Sequence, residues 1–178
     1  LITKITVKNL ICEIDVGAMN VAAVALGSNV GDCMAHLNAA AAGMGRLGRV
    51  TAVSRYYRTK PVGYLDQPDF LNAAALLETE LSPQRLMTAL LEIERENGRE
   101  RVGAVPKGPR TLDLDLLLYV NAAGESVVMN TETLVLPHPE MHRRRFVLEP
   151  LGEIAGDWVH PVLGMTVSQL FAELMHEC

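Results

Sequence analysis

In the stretch Gly108-Pro109-Arg110-Thr111-Leu112-Asp113-Leu114-Asp115-Leu116-Leu117-Leu118-Tyr119, three leucines alternate with two aspartates. That is the period of a β-strand. Successive strand side chains point to opposite faces, so Leu112, Leu114 and Leu116 share one face while Asp113 and Asp115 share the other. The two carboxylates then stand roughly 6–7 Å apart. Aspartate is disfavoured in strands, and like charges on one face repel. A half-exposed edge strand with a wet acidic face accommodates the pattern. So does a cation beside the pair: hard oxygen ligands suit Mg²⁺, which takes one or two carboxylates together with phosphate oxygens. Gly108-Pro109 fixes the entry to the strand, and Arg110 sets a guanidinium next to the acids. An Arg–Asp–Asp grouping is what a polyphosphate with its metal requires.

The elements around this strand follow from local signals. Val21–Leu26 reads as a short buried strand, and Gly27-Ser28-Asn29-Val30-Gly31-Asp32 as a turn that matches neither a dinucleotide fingerprint nor a Walker loop. Asp32 caps an alanine-rich helix from Cys33 to about Leu47. Val50–Tyr57 predicts a second strand and Phe70–Thr79 a third. Ser82-Pro83 opens the clearest helix, with Leu86, Leu90 and Ile93 on its apolar face and Gly98 as its stop. Glu92 and Glu94 are expected on its wet face, with Glu94 in reach of the arginines that follow. Two long loops, 58–68 and 99–107, carry Pro61, Gly63, Pro68, Gly103 and Pro106, and long loops in compact domains are often functional.

With the aspartate strand the order is βαββαβ, that of a ferredoxin-like split βαβ unit, an α/β (α+β) fold. A short strand at Val127–Met129, a helix over Met141–Leu151 broken by Pro150, and a last helix opened by the Thr166/Gln169 capping box complete the chain. Residues 1–19 fit poorly with the rest. They read as an N-terminal extension, either vector-derived or the remnant of an upstream domain, with residues 20–178 as the functional domain.

The 178 residues suit one domain with a real core, and the net charge of −5 without a basic block argues against nucleic-acid or anionic-membrane partners. Cys12, Cys33 and Cys178 are odd in number and lack C-x-x-C spacing. They read as reduced thiols of a cytoplasmic protein. No run approaches the ~18 apolar residues of a membrane span.

Against this acidic background the arginines are unevenly placed. Arg99, Arg101 and Arg110 flank the second loop, and Arg143, Arg144 and Arg145 follow His138. Guanidinium forks suit phosphate oxygens. His138 and His142 have helical spacing for a shared metal, but Pro139 intervenes, and a phosphate contact or capping role for His138 is preferred. Phe70 and Asn72 lie on one face of the third strand. A planar heterocycle stacked on the ring and hydrogen-bonded to the amide accounts for both. No nucleophile with a supporting base is evident, and phosphoryl chemistry needs position, metal and charge rather than covalent catalysis.

Taken together, these blocks resemble the 6-hydroxymethyl-7,8-dihydropterin pyrophosphokinases of folate biosynthesis, over about Val21–Phe171. The landmarks are Ala25-Leu26-Gly27-Ser28-Asn29, Tyr57-Arg58-Thr59, residues 66–74, Gly108 through Asp115, and Pro137-His138-Pro139 with Arg144 and Phe146. The resemblance implies a monomer, or a unit linked to other folate-pathway domains, that transfers pyrophosphate from ATP to the pterin hydroxymethyl group and releases AMP. It implies that Asp113 and Asp115 hold two Mg²⁺ ions. Thr59, Val62, Phe70, Asn72 and Phe146 would form the pterin pocket, and Arg99, Arg101, Arg110, His138 and Arg144 would contact ATP. Arg99 and Arg110 would join the two aspartates in catalysis. Many members carry Trp where this chain has Lys107, a residue then expected near phosphate, and Pro139 stands where some have Tyr. A nucleotidyl transferase on the same element order and a non-catalytic ligand-binding module are the alternatives. The former predicts pyrophosphate release, the latter binding without ATP turnover.

Overall fold

The computed structural model describes residues 18–100, 106 and 108–176. Arg101, Lys107, Cys12 and Cys178 lie outside the described residues, as do residues 1–17 of the expected N-terminal extension. The chain runs β1 (Asn20–Ser28), α1 (Cys33–Met44), β2 (Arg49–Val53), β3 (Tyr57–Thr59), β4 (Phe70–Thr79), α2 (Pro83–Glu96), β5 (Asp113–Val120), β6 (Met129–Asn130), β7 (Val135–Leu136), α3 (Arg145–Ala155) and α4 (Val167–His176). The main sheet has the order β2–β4–β1–β5, with β3 also on β4 and every pair antiparallel. This is the expected ferredoxin-like arrangement, in which each helical crossover skips the strand between its ends.

The second strand is interrupted rather than continuous: β2 and β3 lie on the same side of β4, at its two halves. Ser54 sits in the break and is almost fully buried. Its N–H donates to the Ala74 carbonyl and its Oγ accepts from the Ala74 N–H, both at 2.9 Å. One side chain thus supplies the acceptor that the strand ladder loses, which a buried N–H demands.

Helices cover both faces. Leu37, Ala40 and Met44 of α1 and Leu86, Leu90 and Ile93 of α2 pack on Leu112, Leu114 and Leu116, the leucine face predicted by alternation. Val147, Leu148 and Leu151 of α3 and Val167 and Leu170 of α4 cover the opposite face with Leu117 and Leu118. Each such leucine contributes roughly 1.5–3 kcal/mol by leaving water. The alternation breaks once. Ala23 pairs with Leu118 and Val24 with Leu116, so Leu117 has no partner in β1 and bulges. Leu117 and Leu118 therefore both reach the second layer, and Tyr119 returns to the first.

The caps follow the sequence. Asp32 Oδ1 accepts from the Ala35 N–H, Ser82 Oγ from the Arg85 N–H, and Thr166 and Gln169 exchange side-chain bonds with each other's N–H. The expected break at Pro150 does not occur: α3 runs through it to Ala155, after a short 3₁₀ turn at Met141–Arg143. The buried stripe Val147, Leu148, Leu151 and Ala155 outweighs the single helical bond that a proline forfeits. The short strand predicted at Val127–Met129 is shifted to Met129–Asn130 and pairs with Val135–Leu136.

Candidate active site

β5 delivers Asp113 and Asp115 to the face covered by α3 and α4, at the end of the sheet where that covering stops. A cleft of about 430 Å³ opens there. Both acids line it, together with Arg110 and Arg144, and so do Thr59, Val62, Phe70, Asn72 and Phe146. Residues predicted separately for phosphate and heterocycle recognition therefore share one space. Among the described residues the lining holds five basic side chains (Lys60, Arg110 and Arg143–Arg145) against three acidic ones (Asp113, Asp115 and Glu140), a local inversion of the chain's acidic balance.

The two aspartates have different surroundings. Asp113 is paired with Arg110 Nη1, and its Oδ1 lies 3.7 Å from Arg99 Nη2. Asp115 Oδ2 lies 3.8 Å from Arg144 Nη1 and 4.0 Å from His138 Nε2. Burial, and after it the charge of Asp113, push the Asp115 carboxyl above the usual carboxylate range. An acid so placed gains from a neighbouring cation, and the donor set of two hard carboxylates on one face fits Mg²⁺. His138 is held by its other nitrogen: Nδ1 accepts from the Glu140 N–H at 3.1 Å, which leaves the proton of the neutral ring on Nε2, toward Asp115. Burial holds this imidazole below the ordinary histidine range.

On the apolar side, Asn72 is buried at the base of the cleft, and its Nδ2 donates to Thr59 Oγ1 at 2.8 Å. Thr59 pairs with Phe70 across β3 and β4. Phe146, in the first turn of α3, carries the Arg144 guanidinium 5.9 Å from its ring centroid, within range of a cation–π contact. Asn29 ties the walls together. Its Oδ1 accepts from the Arg110 N–H at 2.8 Å, and its Nδ2 donates to Gln67 Oε1 (2.9 Å) and to the Pro68 carbonyl (3.0 Å). The loop carrying Val62 is thereby anchored to the segment carrying Arg110.

One expectation changes, and the less favoured pairing of His138 with His142 is absent. Glu94 is not on a wet face: it is 1% exposed, and its Oε1 accepts from the Leu114 N–H at 2.7 Å. The signal was present, because Leu86, Leu90 and Glu94 fall at i, i+4 and i+8 on one helical stripe. His138 and His142 do not converge: His142 lies edge-on to His160, with ring centroids 6.2 Å apart, while His138 approaches Asp115. The bridging role of Asn29 and the place of Leu174 in the cleft lining carry no local signal, because both depend on partners far away in sequence. Arg99 lies beside Asp113, as expected for a loop arginine, and donates to the Pro109 carbonyl at 3.3 Å.

A ferredoxin-like sheet with acids, arginines and an apolar recess at one end defines a class, the small α+β domain with a ligand cleft at the end of its sheet. Comparison narrows it. Residues 23–156 match the profile described as 7,8-dihydro-6-hydroxymethylpterin-pyrophosphokinase (HPPK). A 2-amino-4-hydroxy-6-hydroxymethyldihydropteridine pyrophosphokinase of Haemophilus influenzae is 44% identical over 161 residues, covering 89% of this chain and 93% of the relative. One of the same name from Bacillus subtilis is 47% identical over 137 residues, or 76% and 78% of the two chains. The Folate synthesis bifunctional protein of Arabidopsis thaliana is 43% identical over 134 residues; the match covers 75% of this chain and 26% of that one. Among solved structures, wild-type Plasmodium falciparum HPPK-DHPS with pterin and p-hydroxybenzoate superposes with a TM-score of 0.67 at 16% identity. That match covers 89% of this chain and 44% of the larger one, and it shows the common fold. The chain belongs to the 7,8-dihydro-6-hydroxymethylpterin-pyrophosphokinase family. Among the described residues, no helix is long and apolar enough to cross a membrane.

Proposed function

We propose that this chain transfers the diphosphoryl group of ATP to the hydroxymethyl oxygen of 6-hydroxymethyl-7,8-dihydropterin, giving the pterin diphosphate and AMP, a step of folate biosynthesis. The observation that carries this reading is the union, in one cleft, of the Asp113/Asp115 pair and its arginines with the Thr59/Phe70/Asn72/Phe146 recess. Membership of the family supports it.

In this reading the pterin ring lies in the recess, stacked between Phe70 and Phe146, with Asn72 and Thr59 meeting its polar edge and Val62 closing the loop side. The triphosphate lies along Arg99, Arg110, Arg144 and His138, with Arg101 and Lys107 expected from the same loop. Asp113 and Asp115 would hold Mg²⁺, two ions with ATP. The chemistry supplied by bound metal is neutralisation of the transferred group and polarisation of the attacking hydroxyl. The arginines act by position: guanidinium groups fixed before the reaction stabilise charge developing toward the AMP leaving group without reorganising. Arg110 is pre-set by Asp113, and Arg144 is held over Phe146. The hydroxyl attacks the β-phosphorus, the bond to the α-phosphate oxygen breaks, and the hydroxyl proton leaves to solvent or to a carboxylate of the pair. Pocket walls tied by Asn29 exclude water, which protects ATP from hydrolysis.

The test is to incubate the purified chain with ATP, Mg²⁺ and the dihydropterin alcohol and to separate AMP from ADP. AMP that appears only with the pterin, and that falls by at least about a hundredfold in Asp115→Ala, supports the reading. ADP, or turnover retained in the variant, would remove it.

A further inference from the structure

We propose that Glu94 is a positioning residue for the Asp113/Asp115 pair, holding the open edge of β5 at the peptide group between the two acids. The proposal rests on the reading that these acids hold a metal–nucleotide complex. β5 is the last strand of its sheet, so its outer groups need partners from elsewhere. Further along, chain segments supply them: the His138 N–H donates to the Leu117 carbonyl at 2.9 Å, and the Val127 N–H to the Tyr119 carbonyl at 2.8 Å. At Leu114, which pairs with Leu26 on the inner side, no strand among the described residues lies along the outer edge, and the Glu94 carboxylate takes the N–H, at 2.7 Å.

The choice of residue is informative. Position 94 lies on the stripe that packs Leu86 and Leu90 into the core, where a leucine would bury more apolar surface. A carboxylate 1% exposed is costly unless its oxygens are bonded. Its bond to the strand N–H, at 2.7 Å, stands at the short end of the N–H···O range. Leu114 is the residue between the two acids, so fixing its N–H fixes the pitch of both Cα–Cβ bonds. The main chain of Glu94 does a second job. Its carbonyl accepts the Arg99 N–H at 3.0 Å, and Arg99 places Nη2 3.7 Å from Asp113 Oδ1. One residue at the end of α2 therefore sets both an acid pair and the arginine that faces it.

The test measures metal affinity rather than turnover. Mn²⁺ is titrated by calorimetry into the chain saturated with an ATP analogue whose α,β-bridging oxygen is replaced by methylene. Outer partners of metal ligands typically matter by about 10–100-fold, and Glu94→Leu and Glu94→Ala are expected to weaken Mn²⁺ by that factor. Glu94→Gln, which keeps an oxygen for the Leu114 N–H, is expected to stay within about threefold of wild type. Leu86→Ala, in the same helix and fully buried, lowers stability while leaving Mn²⁺ affinity unchanged. Wild-type affinity in Glu94→Leu, equal losses in Glu94→Gln and Glu94→Leu, or an equal loss in Leu86→Ala overturns the proposal. If the Leu and Ala variants do not fold, Glu94→Gln decides. A tenfold loss there overturns the proposal; retained affinity, with Leu114 amide exchange as slow as in wild type, supports it. A wild-type chain that turns over ATP and pterin but shows no effect at Glu94 refutes this inference alone. A wild-type chain that binds no Mn²⁺–nucleotide refutes the metal reading beneath it.

Discussion

Asn72 Nδ2 donates to Thr59 Oγ1 at 2.8 Å, so the amide at the base of the cleft is oriented by its neighbour on the adjoining strand. The bond fixes which edge of Asn72 turns toward the recess. Replacing Thr59 by Val removes the acceptor and leaves a buried donor unpaired. One lost hydrogen bond of about 1–1.5 kcal/mol predicts roughly a tenfold rise in KM for the pterin. KM for ATP is expected to change less than twofold, and steady-state kinetics with each substrate varied in turn separates the two.

Gly27 lines the same cleft, and a Cβ there would meet Asn72 Oδ1 at 3.2 Å. That contact is tight enough to push the amide by a few tenths of an ångström without disturbing the sheet. Gly27→Ala is expected to raise the pterin KM by roughly three- to tenfold, because small misplacements of a binding group are costly. In an Asn72→Ala background the same change should do little, since the clash has lost its partner. A double-mutant cycle measures that coupling.

Gly48 is a matter of stability. A Cβ there would stand 2.0 Å from the Glu78 carbonyl oxygen, a backbone atom that cannot step aside. Gly48→Ala is expected to destabilise by about 3 kcal/mol or more. Gly152 makes the contrast: it lies inside α3, and a Cβ there meets nothing within 4 Å. Gly152→Ala is expected to stabilise by up to about 1 kcal/mol through helix propensity alone. Urea denaturation of both variants checks the pair.

His160 predicts a pH dependence. It is buried, and its Nδ1 accepts from the Leu163 N–H at 3.2 Å, so the fold requires that nitrogen unprotonated. Burial first, and the nearby charge of His142 second, hold it below the ordinary histidine range. The folded state therefore binds fewer protons than the unfolded one between the lowered value and about 6.5. The contribution of His160 to stability is fully present above that range and is lost as pH falls through the folded pKa. His160→Asn keeps an acceptor for the turn and removes the titration. Melting curves from pH 7.5 down to pH 5 are expected to fall more steeply in wild type than in this variant.

Several features were legible locally. The period of Leu112–Leu116 fixed which face of β5 is acidic, because strand alternation needs no knowledge of neighbours. Ser82-Pro83 and the Thr166/Gln169 pair placed two helix starts to within a residue, since capping bonds close over three residues. Phe70 and Asn72 were recognisable as a pair for the same reason as the aspartates. Pro150 misled because a propensity of the isolated helix was set against burial that only packing supplies.

What the chain could not state by itself is which distant residues meet. Asp115 faces His138 and Arg144, more than twenty positions away, because sheet order and the cover of α3 bring them to one end of β5. The bulge at Leu117, the bridge made by Asn29 and the burial of Glu94 depend on register and edge position. These are set by the sum of many long-range contacts rather than by any local period. Local periodicity thus determined the faces and ends of the elements, and tertiary packing decided which charges share a cleft, because an ion pair depends on distance in space and a periodic pattern records only distance along the chain.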